Sequence, residues 1–138
     1  MYIFFSNEDS SKIFGDDKPY AFTVKLPGQV NLQGQWACGL KEITIKTPSD
    51  LHGTLLVCSD ICEPTAVFGK NRSVLRTIEL LPSSNGQSVK KHFIFQDPYY
   101  FSLSRNNIHA LSMVLKDKQD QENRAVESFS GVLHFKKC

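Results

Sequence analysis

The residues after Tyr20 run AFTVKLP (Ala21–Pro27), GQVNLQGQ (Gly28–Gln35) and WACGLKEITI (Trp36–Ile45), and their reading decides the fold. In Ala21–Leu26, Phe22, Val24 and Leu26 alternate with Thr23 and Lys25. Successive strand side chains face opposite sides, so this is the pattern of a half-buried strand. Trp36–Ile45 alternates as well. Trp36, Cys38, Leu40, Glu42 and Thr44 share one parity, and Ala37, Gly39, Lys41, Ile43 and Ile45 the other. The apolar parity switches near Lys41–Glu42. A β-bulge, a strand changing sheets, or a strand buried on opposite faces at its two ends each produces such a switch. The link Pro27–Gln35 keeps Val30 and Leu32 at alternate positions and is expected to wrap back onto the core. Trp36, the single tryptophan, is the expected core anchor.

Working outward, 138 residues suit one domain with a real core. Hydrophobic residues make up 41% and charged residues 22%, and ten Phe among Val, Ile and Thr runs favour strands. The net charge of +2 does not force a nucleic-acid or membrane reading. The apolar runs are far shorter than the ~20 residues of a membrane helix. Met1 opens a short YIFF run with no basic start, unlike a signal peptide. With Met1 as the natural start, Cys38, Cys58, Cys62 and Cys138 are expected as free thiols.

Strands are expected at Tyr2–Phe5, Gly53–Ser59, Val89–Phe95, Tyr100–Ser104, Ile108–Lys116 and Phe129–Phe135. Thr65–Phe68 is read as a continuation beyond the break at Ile61–Pro64, with Gly69-Lys70-Asn71 as the next turn. Ser73–Leu81 fits both helical and strand spacing, and its Thr, Val and Ile content favours strand. Ser6–Lys18 reads as a loop with a turn around Lys12–Phe14, and Lys116–Glu127 as a polar loop. Asn85-Gly86 within Pro82–Gln87 is a hairpin signal. Eight to nine strands without a βαβ pattern give an all-β fold, a single antiparallel β-sandwich domain. Jelly-roll connection fits the count better than immunoglobulin-like connection, since no Cys lies a strand before Trp36. The expected core is Phe22, Val24, Leu26, Trp36, Leu40, Ile43, Leu56, Ile78, Phe93, Phe95, Leu115, Leu133 and Phe135.

No constellation outweighs its plainer explanation. Cys58 and Cys62 form a C-x3-C pair, but with His52, His92, His109 and His134 they match no zinc spacing. Scattered cysteines and histidines make no nucleophile–base pair. Asp16, Asp17, Asp60, Glu63, Asp97, Asp117, Asp120, Glu122 and Glu127 fall mostly in loops and read as solvated surface. Asn71-Arg72-Ser73 matches a glycosylation acceptor and, without a signal peptide, is read as silent. Lys90-Lys91-His92, Lys136-Lys137 and Arg76 could form a basic patch, but the alternation puts the neighbouring Phe93, Phe95 and Phe135 opposite Lys90 and Lys136 or in the core, against nucleic-acid binding. Tyr99-Tyr100 stands out, because adjacent strand residues cannot both enter the core. Tyr99, Tyr100 and Phe101, with the loops 6–18 and 116–127, are the candidate contact residues.

FTVKLP followed by LQGQWACGLKEI, with later SDI, LRTI, FQDPYY and GVLHFKK in order, resembles small β proteins of adenovirus-like viruses and Maverick/Polinton-type elements. The resemblance spans Ala21–Lys137 and supplies no catalytic residues. It implies a structural role in a virion assembled inside the host cell. The expectation is a non-enzymatic capsid-associated, vertex or spike-like protein. It would self-associate as a trimer or pentamer and contact other capsid proteins, with no cofactor, metal or membrane. The alternative is a sandwich module binding a carbohydrate or a host receptor.

Overall fold

The computed structural model describes residues 1–13, 15, 17–83 and 86–138. The strands are β1 (Tyr2–Ser6), β2 (Ala21–Asn31), β3 (Trp36–Thr47), β4 (Gly53–Ser59), β5 (Thr65–Val67), β6 (Lys70–Arg72), β7 (Val74–Leu80), β8 (Val89–Ile94), β9 (Tyr100–Ser102), β10 (Asn107–Lys116) and β11 (Ser128–Lys137). One five-residue helix, α1 (Asn7–Ser11), follows β1. The first sheet has the order β1-β11-β3-β8, with β9 also on β3, and the second β2-β10-β4-β7. Both are antiparallel. A separate ribbon joins β5 and β6.

The protein is therefore an antiparallel β-sandwich. When the ribbon is set aside and β8 and β9 are taken as one interrupted edge strand, the main connections cross between the sheets. Only β4 and β7 remain sequential neighbours. First strand beside last and second beside penultimate is the interleaving of a jelly roll.

The parity switch in the opening stretch is a bulge. Val132 faces Glu42 and Leu133 faces Leu40, so Lys41 is the extra residue on β3. Before it Cys38 and Leu40 point inward; after it Ile43, Ile45 and Thr47 do, all fully buried. One inserted residue thus exchanges the inward parity without breaking the strand. On β2, Lys25 pairs with Ala110 and Val30 with Ile108, leaving Leu26–Gln29 opposite a single residue. Pro27, which has no N–H, sits in that irregular segment, where no ladder donor is needed.

Phe5, Phe129 and Phe22 join the two sheets. The Phe5–Phe129 rings meet edge-on at 5.2 Å, and Phe22–Phe129 at 5.3 Å. Such pairs add about 0.5–1.5 kcal/mol each to the gain from burial. A Cβ at Gly131 would lie 2.9 Å from Phe5 Cζ, so the glycine makes room for that ring.

Several expectations change. Trp36 is half-buried at the margin, its Nε1 donating to Gln33 O at 2.9 Å. The centre of the core is instead Leu40, Ile43, Ile45, Phe129 and Phe135. Phe93 and Phe95 also pack only partly, because β8 is an edge strand. Thr65–Val67 does not continue β4 but pairs with Lys70–Arg72. The turn is Phe68-Gly69, both with positive φ (48° and 77°), a mirror-image turn that suits hairpin twist. This ribbon raises the count from nine to eleven strands among the described residues, with β8 and β9 separate as expected. Asn85 lies outside the described residues, as do Phe14 and Asp16. The strands flanking Asn85-Gly86, β7 and β8, lie in different sheets, so the link is a crossover. In Ser6–Lys18, Ser6 caps α1 by accepting from Glu8 N and Asp9 N at 3.1 and 3.2 Å.

Candidate functional site: an aromatic sheet face

Residues paired across a ladder point to the same side, so the register lays out the outer face of the first sheet. Tyr2, His134, Gly39 and Tyr100 form one row, and Phe4, Val132, Glu42 and Ile94 the next. Phe4 is 77% exposed, Ile94 62% and Tyr2 56%. Adjacent apolar side chains left in water on one face mark an interaction surface more often than scattered ones do.

His134 organises the first row. Its ring stacks on Tyr2 at 4.6 Å and meets Tyr100 edge-on at 5.7 Å. Tyr100 Oη lies 2.7 Å from His134 Nδ1. Burial, then the N-terminal ammonium, Lys41 and Lys136, hold the imidazole below its ordinary value. Burial, Tyr2 and Cys38 push the Tyr100 phenol up. Both shifts favour a neutral pair in which the phenol donates and Nδ1 accepts. Lys136 Nζ lies 3.9 Å from the Tyr100 ring centroid. The ring lies across Gly39, where a Cβ would stand 3.1 Å from its Cδ1 and Cε1 and 2.8 Å from Tyr99 O.

The three candidate contact residues thus separate. Tyr99 is 59% exposed and holds the Arg76 guanidinium 3.9 Å from its ring, with Phe95 at 4.2 Å beneath the same group. Arg76 Nη1 also donates to Asp97 O at 3.3 Å, so it ties β7 to the β8–β9 link at the sandwich margin. Tyr100 lies on the outer face. Phe101 packs against the core. Tyr2, Phe4 and Ile94 were absent from the sequence-based set. The signal for Tyr2 and Phe4 was present in YIFF, where Ile3 and Phe5 take the core parity and leave two aromatics outward.

The remaining groups do not converge. Cys38 and Cys62 are buried, and burial pushes both thiols up, Cys62 to about 12. Cys58 instead lines a cleft of about 350 Å³ over the second sheet, and burial pushes it up to about 11. All four cysteines are free. Among the described residues no group of His, Cys, Asp or Glu has the arrangement to hold a metal ion. Among them no helix is long and apolar enough to cross a membrane. Lys91 Nζ donates to Leu51 O and Leu81 O at 3.4 and 3.1 Å, which withdraws it from any basic patch.

The fold and face define a jelly-roll domain that presents an aromatic surface. No protein-family model matches the chain. It is similar to F-box/LRR-repeat protein 18 of Homo sapiens, with 31% identity over 118 residues covering 78% of this chain and 16% of that protein. The chain spans about a sixth of the length of this curated relative. The antiparallel sandwich is unlike the stacked strand-bearing units of leucine-rich repeats.

Proposed function

We propose that the protein is a non-enzymatic structural module that works by protein–protein contact and self-association. We place it as a capsid-associated, vertex or spike-like component of a virion assembled inside the host cell. One observation carries the reading: exposed Tyr2 and Phe4 side by side on the edge strand β1, next to the Tyr100–His134 pair, with exposed Ile94 on the same face beyond Val132 and Glu42. Symmetric closure covers such a face with a copy of itself. The jelly-roll interleaving and the sequence resemblance support the virion setting. The likeness to a sixth of a longer human protein is silent on the virion. The buried, protonated Cys38 and Cys62 thiols support a non-enzymatic role.

The test is the mass in solution by analytical ultracentrifugation, for the wild type and for Phe4→Asp/Ile94→Asp. The wild type should form a closed trimer or pentamer, and the variant a monomer with unchanged circular dichroism. A wild type that stays monomeric at its solubility limit sinks the proposal. The exposed Tyr99 ring, backed by Arg76, favours a glycan or receptor contact as the second reading. A monomer that binds a glycan array would establish it.

A further inference from the structure

We propose that the cleft on the outer side of the second sheet binds a carboxylate group through Arg72. The cleft, of about 350 Å³, is lined by Cys58, Asp60, Arg72, Ser112, Lys116 and Asp120, among others. That volume is at the lower end of small-molecule sites. Arg72 is 8% exposed. Its Nη2 donates to Lys118 O at 2.6 Å, while Nε and Nη1 are buried with no hydrogen-bond partner among the described residues. A guanidinium stays charged at any pH a folded protein meets, so it cannot shed this cost by losing a proton. Buried donors left without acceptors are rare and costly.

The other charges of the cleft are already matched. Asp60 accepts from Ser112 N at 2.8 Å and pairs with Arg105 at 3.3 Å. Asp120 pairs with Lys116 at 3.2 Å. The Cys58 thiol, raised to about 11, brings no negative charge. One positive charge, that of Arg72, is left over among the described residues. A single negative charge with two acceptor oxygens balances it, which is a carboxylate rather than a phosphate dianion.

Entry requires movement, because Nε and Nη1 are sealed. The wall that carries Arg72 is the β5–β6 ribbon, three residues per strand and paired with neither main sheet. Isolated two-stranded ribbons are marginal in stability, so this wall can yield. Lys118 Nζ, 4.6 Å from the Phe68 ring, holds the ribbon tip against the opposite loop.

The test follows the Arg72 Nε–H resonance by NMR during titration with sodium acetate, with sodium chloride matched for ionic strength. A short glutamate peptide and inorganic phosphate form two further arms. Acetate should give a saturable shift that chloride does not. Tighter saturation by the glutamate peptide would assign the carboxylate to a protein partner, and equal saturation to a free acid. Followed on the Ser112 backbone amide, which lines the cleft in both proteins, Arg72→Met should weaken acetate binding roughly tenfold or more. It should also leave the acetate-free protein at least as stable as the wild type, because an uncompensated buried charge is gone. No saturable shift, saturation by phosphate but not acetate, or an Arg72→Met variant less stable than the wild type without acetate overturns the proposal.

Discussion

Deleting Lys41 should cost little, although it lies inside the longest strand of the core sheet. Leu40 points inward, Glu42 outward and Ile43 inward, and their partners Leu133, Val132 and Gly131 on β11 are consecutive. Without Lys41 the two strands run in regular register, with every buried residue of β3 still buried. The named loss is the hydrogen bond from Phe95 N to Lys41 O, 2.9 Å long and worth about 1 kcal/mol. With local adjustment at the β8–β9 margin the expected cost is about 1–2 kcal/mol. Deleting Thr44, three positions on, is the contrast. With the bulge retained, Ile45 and Thr47, both fully buried, turn outward and Lys46 turns inward. Losing the burial of Ile45 alone costs about 1.5–3 kcal/mol. An inward ammonium adds several more, for a total of at least about 5 kcal/mol. A domain stable by about 5–15 kcal/mol is largely unfolded by that. If the bulge is absorbed instead, Glu42 is driven inward at comparable cost. Urea unfolding followed by Trp36 fluorescence and by far-ultraviolet circular dichroism measures both. Equal losses for the two deletions, or an unfolded Lys41 deletion, would refute the parity argument.

Other expectations follow from the same sheet. Gly39→Ala should cost about 1–3 kcal/mol by urea titration, because its Cβ would meet Tyr99 O at 2.8 Å and must push β9 away. It should also loosen the Tyr100–His134 hydrogen bond, visible as faster exchange of the phenolic proton. Because the folded His134 pKa is lowered from 6.5, the unfolded chain takes up the proton first. Stability from this group is therefore present above the unfolded value and lost as pH falls through the folded one. The urea midpoint should drop as pH is lowered through that window, and His134→Gln should flatten the drop. An equally steep drop in the variant would show that the histidine does not carry it.

The sandwich was legible because alternation is a local signal. Phe22-Thr23-Val24-Lys25-Leu26 states which side is wet without reference to any partner, and the bulge at Lys41 was visible as a change of parity. The strand assignment of Ile108–Lys116 held against its helical composition because Ile108, Leu111, Met113 and Leu115 all face the core. What depends on sheet order was not legible. Trp36, Phe93 and Phe95 are as apolar as any core residue, but two lie at the β8 margin and one at a strand end. Their partial exposure follows from the neighbours they lack. The crossover after Leu80 hid behind a turn signal equally suited to a hairpin. Of the candidate site, Tyr99 and Tyr100 could be found because adjacent tyrosines conflict. Arg72 gave no signal, since its isolation arises only where the ribbon folds over the second sheet.

The edges of the sandwich differ in a way that bears on assembly. Unpaired edge strands invite pairing with other chains, and proteins block those they do not use. On β2, Thr23 N donates to Asp17 Oδ2 at 3.0 Å and Thr23 O accepts from Ser10 Oγ, so the segment after β1 occupies that edge. Strand β8 carries Lys90, Lys91 and His92. Strand β7 carries Arg76 and Glu79, the first held by Phe95 and Tyr99 and the second accepting from Thr54 Oγ1. Strand β1 reads YIFFS, with no charge, and among the described residues pairs only with β11. Its outward Tyr2 and Phe4 belong to the aromatic face. Three edges are thus filled or charged, while the fourth is uncharged and continuous with the exposed apolar surface. Under the proposed self-association, β1 is the edge at which a second copy docks. A Lys introduced at Phe4 should then disrupt assembly more than a Lys at Thr77 on β7.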